Sequence, residues 1–287
     1  MENMKHAYLI MAHNNFYCLE KLLLLLDDER NDIFLHIDKK VTDFDFPRFQ
    51  SLCKKARILY PQKRINVRWG TQSQVKTEML LFETAFQNGP YLYYHLLSGS
   101  DLPLKNQEYI HKFFDGQSRS YLFYKDTLSK WDIQRISRYH FPVQSSSRLL
   151  RRCISYINTL QEKMQVDRLS RSGLTVQRGY NWCSITEEAV RVLIANKRKI
   201  LKMTSFSVCA DEVYKQTILM HQGHPIVNND LRKVTWHAGN HPIIYTTDHY
   251  SELVSSDRLF ARKFDETVDR EIIDQIFTYV KSQETCL

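Results

Sequence analysis

The first third of the chain switches repeatedly between two hydrophobic rhythms. "HAYLIMAH" and "DIFLHIDKK" are short apolar runs that read as buried strands, and "FYCLEKLLLLLDD" between them reads as a helix. After a turn-rich stretch ending in "VRWG", residues 73–88 place Val75, Met79, Phe82 and Phe86 at i, i+4, i+7 and i+11, the spacing of one helix face. "YLYYHLLSGSD" then predicts a strand, "NQEYIHKFF" a short helix and "SYLFYK" a further strand. Strands separated by helices pair in parallel, because each crossover returns the chain to the same end of the sheet. The expected class is therefore α/β, with a Rossmann-like, mainly parallel sheet flanked by helices.

Beyond this core the pattern changes. Residues from about 130 to 178 are charged, serine-rich and poor in strand signals, which predicts a helical insertion over one sheet edge. "GYNWCSIT" reads as a short buried strand, "EEAVRVLIANKRKIL" as one helix and "LRKVTW" as a strand. In "DETVDREIIDQIFTYV", Val268, Ile272, Ile276 and Val280 fall in register for a closing helix. At 287 residues the chain is long enough for one large domain with a substantial core.

The net charge is +8, and the segment 148–171 supplies half of it: Arg148, Arg151, Arg152, Lys163, Arg168 and Arg171 against Glu162 and Asp167. Leu149, Cys153, Tyr156, Leu160 and Met164 give the same segment an apolar stripe. Such a helix either packs on the core or lies on an anionic membrane surface. The six cysteines are scattered without a C-x-x-C pair, and no cleavable signal precedes the short apolar run "AYLIMA". These features predict free thiols and a cytoplasmic setting.

In doubly wound sheets, ligands sit beyond the carboxyl ends of the strands. Those ends carry His13 and Asn14, then Asp38, then Ser98-Gly99-Ser100-Asp101. With eight glycines in all, the chain has no G-x-G-x-x-G and no Walker-type loop, which disfavours dinucleotide hydride transfer and P-loop chemistry. The histidine pairs in "HQGH" (221–224) and "HAGNH" (237–241) lack an evident third zinc ligand. "DFD" (43–45) matches the Asp-x-Asp pattern for a divalent ion, but it does not end a buried strand. Near the C-terminus, Arg258, Arg262 and Lys263 could neutralise a departing diphosphate in place of a metal. In "SFSVCADEVYKQTIL" (205–219), Asp211 and Glu212 precede a helical pattern, where carboxylates either serve the first turn or do chemistry.

Six stretches, in order, resemble the core-2/I-branching β-1,6-N-acetylglucosaminyltransferases and the related peptide O-xylosyltransferases. They are "AYLIMAHNN", "LHIDKK", "YYHLLSGSDLPLK", "GYNWCSIT", "ADEVYKQTIL" and "LFARKFD", spread over residues 6 to 266. The resemblance implies a GT-A-type fold, inverting chemistry, a UDP-sugar donor and no metal or other cofactor. It places the catalytic base on Glu212 and the diphosphate-binding lysine on Lys263. It maps donor-side residues to His13 and Asp38, and places Asp101 and Trp182 toward the acceptor. A second diphosphate-binding arginine expected near "HPIIYTTD" is absent, with Ile243 and Ile244 there instead, so Arg258 or Arg262 is the candidate substitute. Animal members carry a Golgi anchor and disulfides; this chain shows neither sign and reads as a bacterial-type soluble relative.

The implied organisation is a nucleotide-binding half of about 1–128, a helical insertion of about 130–178 and an acceptor and catalytic half of about 179–287. The expected reaction is transfer of N-acetylglucosamine, or alternatively xylose, to a hydroxyl of a glycan or lipid-linked glycan. Bacterial surface polysaccharide or lipopolysaccharide synthesis is the expected setting, with peripheral contact at an anionic membrane and no nucleic acid. Two other classes compete: a non-catalytic basic module binding glycans or nucleic acid, and a glycoside hydrolase using Asp101 and Glu212 as its carboxylate pair.

Overall fold

The computed structural model describes residues 4–141, 148–236 and 241–283. Its first half runs β1 (His6–Ala12), α1 (Phe16–Leu25), β2 (Asn31–Ile37), α2 (Phe46–Gln50), β3 (Arg57–Leu59), α3 (Gln72–Phe86), β4 (Tyr93–Ser98), β5 (Asp101–Pro103), α4 (Gln107–Phe114) and β6 (Ser120–Tyr124). Next come α5 (Lys130–Ser137), α6 (Arg148–Lys163), β7 (Gly179–Thr186), α7 (Glu187–Ala195), α8 (Lys197–Thr204) and α9 (Tyr214–His221). The chain closes with β8 (Ile226–Val227), β9 (Arg232–Val234), α10 (Tyr250–Val254), β10 (Phe260–Arg262) and α11 (Arg270–Ser282).

The main sheet has seven strands in the order β3-β2-β1-β4-β7-β6-β8. Only β7 runs against its neighbours; β3, β2, β1 and β4 pair in parallel, as do β6 and β8. Alternation along β1 sorts its side chains by face: Tyr8, Ile10 and Ala12 join α1, α4 and α11 in one apolar core, while Ala7 and Leu9 join α3, α7 and α9 in another. β1 lies between β2 and β4, so the strand order reverses beside it, and the crevice opens at its carboxyl end. A Cβ on Gly99, just past β4, would come within 2.9 Å of the Ala12 Cβ; only glycine lets these two strand ends approach so closely.

A three-stranded sheet, β5-β10-β9, caps this end. "LRKVTW" therefore forms a strand, but in the small sheet. The helix expected over "EEAVRVLIANKRKIL" is two, broken at Asn196, whose side-chain amide donates to the Val192 carbonyl at 2.9 Å. Val268 lies outside α11 and is exposed, because Asp269 caps the helix by accepting from the Ile272 amide at 3.1 Å. The apolar face of α11 is thus Ile272, Ile273, Ile276 and Val280. The described cysteines are free thiols, and among the described residues no helix is long and apolar enough to cross a membrane.

Candidate active site

Three segments distant in sequence meet at the carboxyl end of β1. Asn15 adopts the left-handed conformation (φ 63°), and its side-chain amide joins them. Its Nδ2 donates to Ser100 Oγ at 3.0 Å and to the Phe264 carbonyl at 2.7 Å, while its Oδ1 accepts from the Glu266 amide at 2.8 Å. The Phe264 amide in turn donates to the Ser100 carbonyl at 3.0 Å. The Glu266 carboxylate accepts from the Tyr17 and Cys18 amides at 2.8 and 3.2 Å, capping α1 from across the fold. The β4–β5 turn and the "RKFDE" segment are thereby pinned against the start of α1.

This anchorage carries Lys263 to the crevice across a cis Arg262–Lys263 peptide. Lys263 is half-buried, and its ammonium makes no hydrogen bond or ion pair with any described residue. It bears on His13, whose imidazole is pushed below its ordinary value by burial, opposed by Asp38 and reinforced by Lys40 and Lys263. His13, Asn14, Lys40, Asp43, Asp265 and Thr267 line a cleft of about 380 Å³. Asp38, at the end of β2, accepts from the Lys40 amide at 2.9 Å and the Val67 amide at 3.3 Å, and so folds the following loop against the cleft.

Glu212 ends a turn joined to the loop that Asp38 holds: the Cys209 amide donates to the Gly70 carbonyl at 2.9 Å. The expectation that Asp211 and Glu212 open a helix is corrected: they lie in a 3-10 turn, Ala210–Glu212, ahead of α9, and neither caps it. One oxygen of Glu212, Oε2, accepts from Arg135 at 2.7 Å and from both Nε and Nη2 of Arg178 at 3.1 and 2.7 Å. Arg178 also bonds Asp132 at 2.5 Å, so α5, β7 and the turn are tied together. Burial alone would raise the Asp132 carboxyl, but Ser129, Lys125 and Arg178 outweigh it and hold the group well below its ordinary value. The Glu212 side chain keeps 26% of its surface, so the carboxylate is fixed by two arginines yet partly open to solvent.

Asp211 is its opposite. Buried beneath the turn, it accepts from Gln74 at 3.1 Å while Oδ1 has no partner among the described residues. Burial, with Glu78 and Glu212 adding to it, pushes its carboxyl up to about 7. Below it, Lys215 and Glu78 form a fully buried ion pair at 2.5 Å, with Asn181 and the Asp211 carbonyl as further acceptors for the ammonium. That network anchors the turn to α3 and β7.

Other expected site residues stand elsewhere. Asp101 is fully buried and spends its carboxylate on the Ser98 amide and hydroxyl at 2.9 and 2.7 Å, which closes the β4–β5 turn and removes it from any acceptor. Arg262 pairs with Asp101 at 3.4 Å and stacks on Trp182 at 4.4 Å, so it covers one face of the ring expected to meet an acceptor. Arg258 precedes β10 and bonds Asn229 there, at the end of the strand away from Lys263. Among the described residues, no group of three or more His, Cys, Asp or Glu side chains is gathered to hold a metal ion. Asp45 of "DFD" caps α2, His224 bonds Ser120, and residues 237–240 of "HAGNH" lie outside the described residues.

Sequence reasoning missed Asn15, Arg135, Arg178 and an aromatic ladder. Phe123 stacks on Tyr180 with centroids 4.5 Å apart, and Tyr180 on Trp236 at 5.4 Å, with Trp236 partly open to solvent. The Tyr180 hydroxyl is pushed up by burial and feels Asp230, Arg178 and Glu212, which places the ladder beside the carboxylate.

Residues 6–257 match the sequence profile of the Core-2/I-Branching enzyme family. No curated protein matches the sequence significantly. The apo structure of the bifunctional glycosyltransferase WbbM overlays with a TM-score of 0.47 at 9% identity, covering 99% of this chain and 52% of that one, so this chain spans about half of that protein's length. With its profile extending over nearly the whole chain, this protein belongs to the Core-2/I-branching enzyme family.

Proposed function

We propose that the enzyme is inverting and metal-independent, moving a sugar from a UDP-sugar to a hydroxyl of a glycan acceptor. The observation that carries this reading is Lys263: a half-buried residue whose ammonium has no hydrogen bond or ion pair among the described residues and acts on His13, which lines the cleft. Holding a cation there unpaired has a cost that an anionic ligand relieves. His13 and Asp38 would meet the donor on the same side. Glu212 takes the proton from the acceptor hydroxyl as that oxygen attacks the anomeric carbon. The bond from that carbon to the diphosphate breaks on the opposite face, and UDP leaves with the electron pair, its charge met by Lys263. Because Arg135 and Arg178 both grip Oε2, Oε1 is the oxygen free to receive the proton.

N-acetylglucosamine is the proposed sugar, with xylose the alternative, and a bacterial-type surface polysaccharide or lipopolysaccharide is the proposed acceptor. In this reading the open face of Trp236, rather than Asp101 or Trp182, supports the acceptor ring. The hydrolase alternative loses its second carboxylate, since Asp101 is buried and fully engaged.

A thermal-shift panel with UDP, GDP, CDP, UMP, UDP-N-acetylglucosamine and UDP-xylose, with and without EDTA, tests the donor site. A ligand at about a hundred times its dissociation constant adds about 2.7 kcal/mol, a shift of several degrees. A UDP-selective shift that survives EDTA and weakens in Lys263→Ala is the expected result. A shift abolished by EDTA, or no nucleotide response, would refute the reading.

A further inference from the structure

The amphipathic stripe of α6 does not pack on the core. Leu149, Tyr156 and Met164 are 72%, 70% and 67% exposed, and Leu160 and Ile157 beside them are also open. The helix instead holds the body by another side. Gln161 is buried and exchanges two hydrogen bonds with the Tyr139 backbone at 2.8 and 3.0 Å, and Glu162 pairs with Lys130 at 3.2 Å. At 100° per residue, the stripe lies roughly a quarter turn from Gln161 and is turned to solvent.

Arg148, Arg152 and Lys163 are exposed and flank the stripe on one side. Glu162, the helix's one acidic residue, is already spent on Lys130. Large exposed aromatics stand beside the groups that hold α6: Trp131, next to Lys130, and Phe206, whose ring lies 6.2 Å from that of Tyr139 and 5.7 Å from that of the exposed Phe141. A second copy of the helix is the obvious competitor, because Leu149, Cys153, Tyr156 and Leu160 have the 4-3-4 spacing of a paired seam. Its flanks argue against that partner. Self-pairing would leave the flanking cations without acidic mates, whereas an anionic surface satisfies them while the stripe enters the interface.

We propose that the exposed face of α6 is a docking surface for anionic lipid bilayers. At 16 residues and with four cations it lies on the surface rather than spanning it. α5, which carries Arg135 and Asp132 of the Glu212 cradle, is tethered to α6 through Lys130–Glu162. Docking would therefore bring the catalytic end of the sheet to lipid-attached glycans, a consequence that rests on the transferase reading; the lipid contact itself does not.

Vesicle co-sedimentation tests it, with phosphatidylcholine vesicles against the same vesicles holding about 30 mol% phosphatidylglycerol. Three proteins are compared: the full chain, a stripe variant (Leu149→Ser, Tyr156→Ser, Met164→Ser) and a flank variant (Arg148→Gln, Arg152→Gln, Lys163→Gln). Because all six side chains are exposed, the melting temperature should stay at the wild-type value, and it serves as the folding control. The expected result is binding to the anionic vesicles only, weakened about tenfold or more by either variant. No binding to anionic vesicles, or equal binding by the stripe variant, overturns the proposal. So does a dimer in sedimentation equilibrium that the stripe variant dissolves while vesicles go unbound, since the occupant would then be a second copy. UDP binding, measured in parallel, reports on the transferase reading separately.

Discussion

His36 makes the fold sensitive to acid in a way that one substitution can isolate. Its ring lies in β2, 1% exposed, and Nε2 accepts the Ile65 amide at 2.9 Å. Protonating that nitrogen would set an N–H against an N–H. Burial, opposed by Asp38 and assisted by Arg64, holds the imidazole down at about 4, against an unfolded value of about 6.5. The folded state therefore binds the proton less readily, and stability is lost as pH falls below 6.5 until the folded ring itself titrates. At pH 5 the separation is about 1.5 units, or about 2 kcal/mol, whereas at pH 7.5 the contribution is close to zero. In His36→Gln the amide oxygen can still accept from Ile65 without titrating. Urea unfolding of both proteins at pH 7.5 and 5 should show the variant losing about 2 kcal/mol less over that interval. His6, His95 and His111, also lowered by burial, and Asp211, raised by it, act equally in both proteins and cancel. Parallel losses in the two proteins would refute the argument.

Other substitutions probe the site. Asn15→Ala removes three hydrogen bonds and leaves a non-glycine residue at positive φ; it should cost about 3–5 kcal/mol and weaken UDP binding, with denaturant midpoints and calorimetry as the readouts. Lys215→Met leaves Glu78 as an unpaired buried acid and should destabilise the fold by about 3–5 kcal/mol at neutral pH, read as a lowered melting temperature. Arg178→Lys keeps a charge but cannot hold Glu212 by two nitrogens and Asp132 by a third. Turnover should fall by about 10–100-fold with UDP affinity unchanged, and steady-state rates beside titration calorimetry check this.

Most of the sheet was legible because strand and helix periods are local signals. Val75, Met79, Phe82 and Phe86 announce α3 in their spacing alone, and the strand ends led directly to His13, Asp38 and the Ser98–Asp101 turn. Contacts made across the chain were not legible. Arg135 and Arg178 reach Glu212 over 77 and 34 residues, and Asn15 reaches Glu266 over 251, distances at which no pattern in the sequence records a meeting. Burial also misled. Asp101 looked available at a strand end but closes its own turn, and the helical pattern after Glu212 gave no sign that Tyr214 to Leu219 are buried all round. For α6 the sequence left packing and exposure open, since an amphipathic stripe looks the same whether a core or solvent faces it.

The initial rate of sugar transfer by Glu212→Gln, measured beside its affinity for UDP, tests the proposed catalytic base most directly. Gln preserves the shape of the side chain but cannot take the acceptor's proton. The prediction is a rate lower by about 10²–10⁴ with UDP bound as by the wild type. Transfer at close to the wild-type rate would show that another group is the base, and the assignment of Glu212 would be wrong.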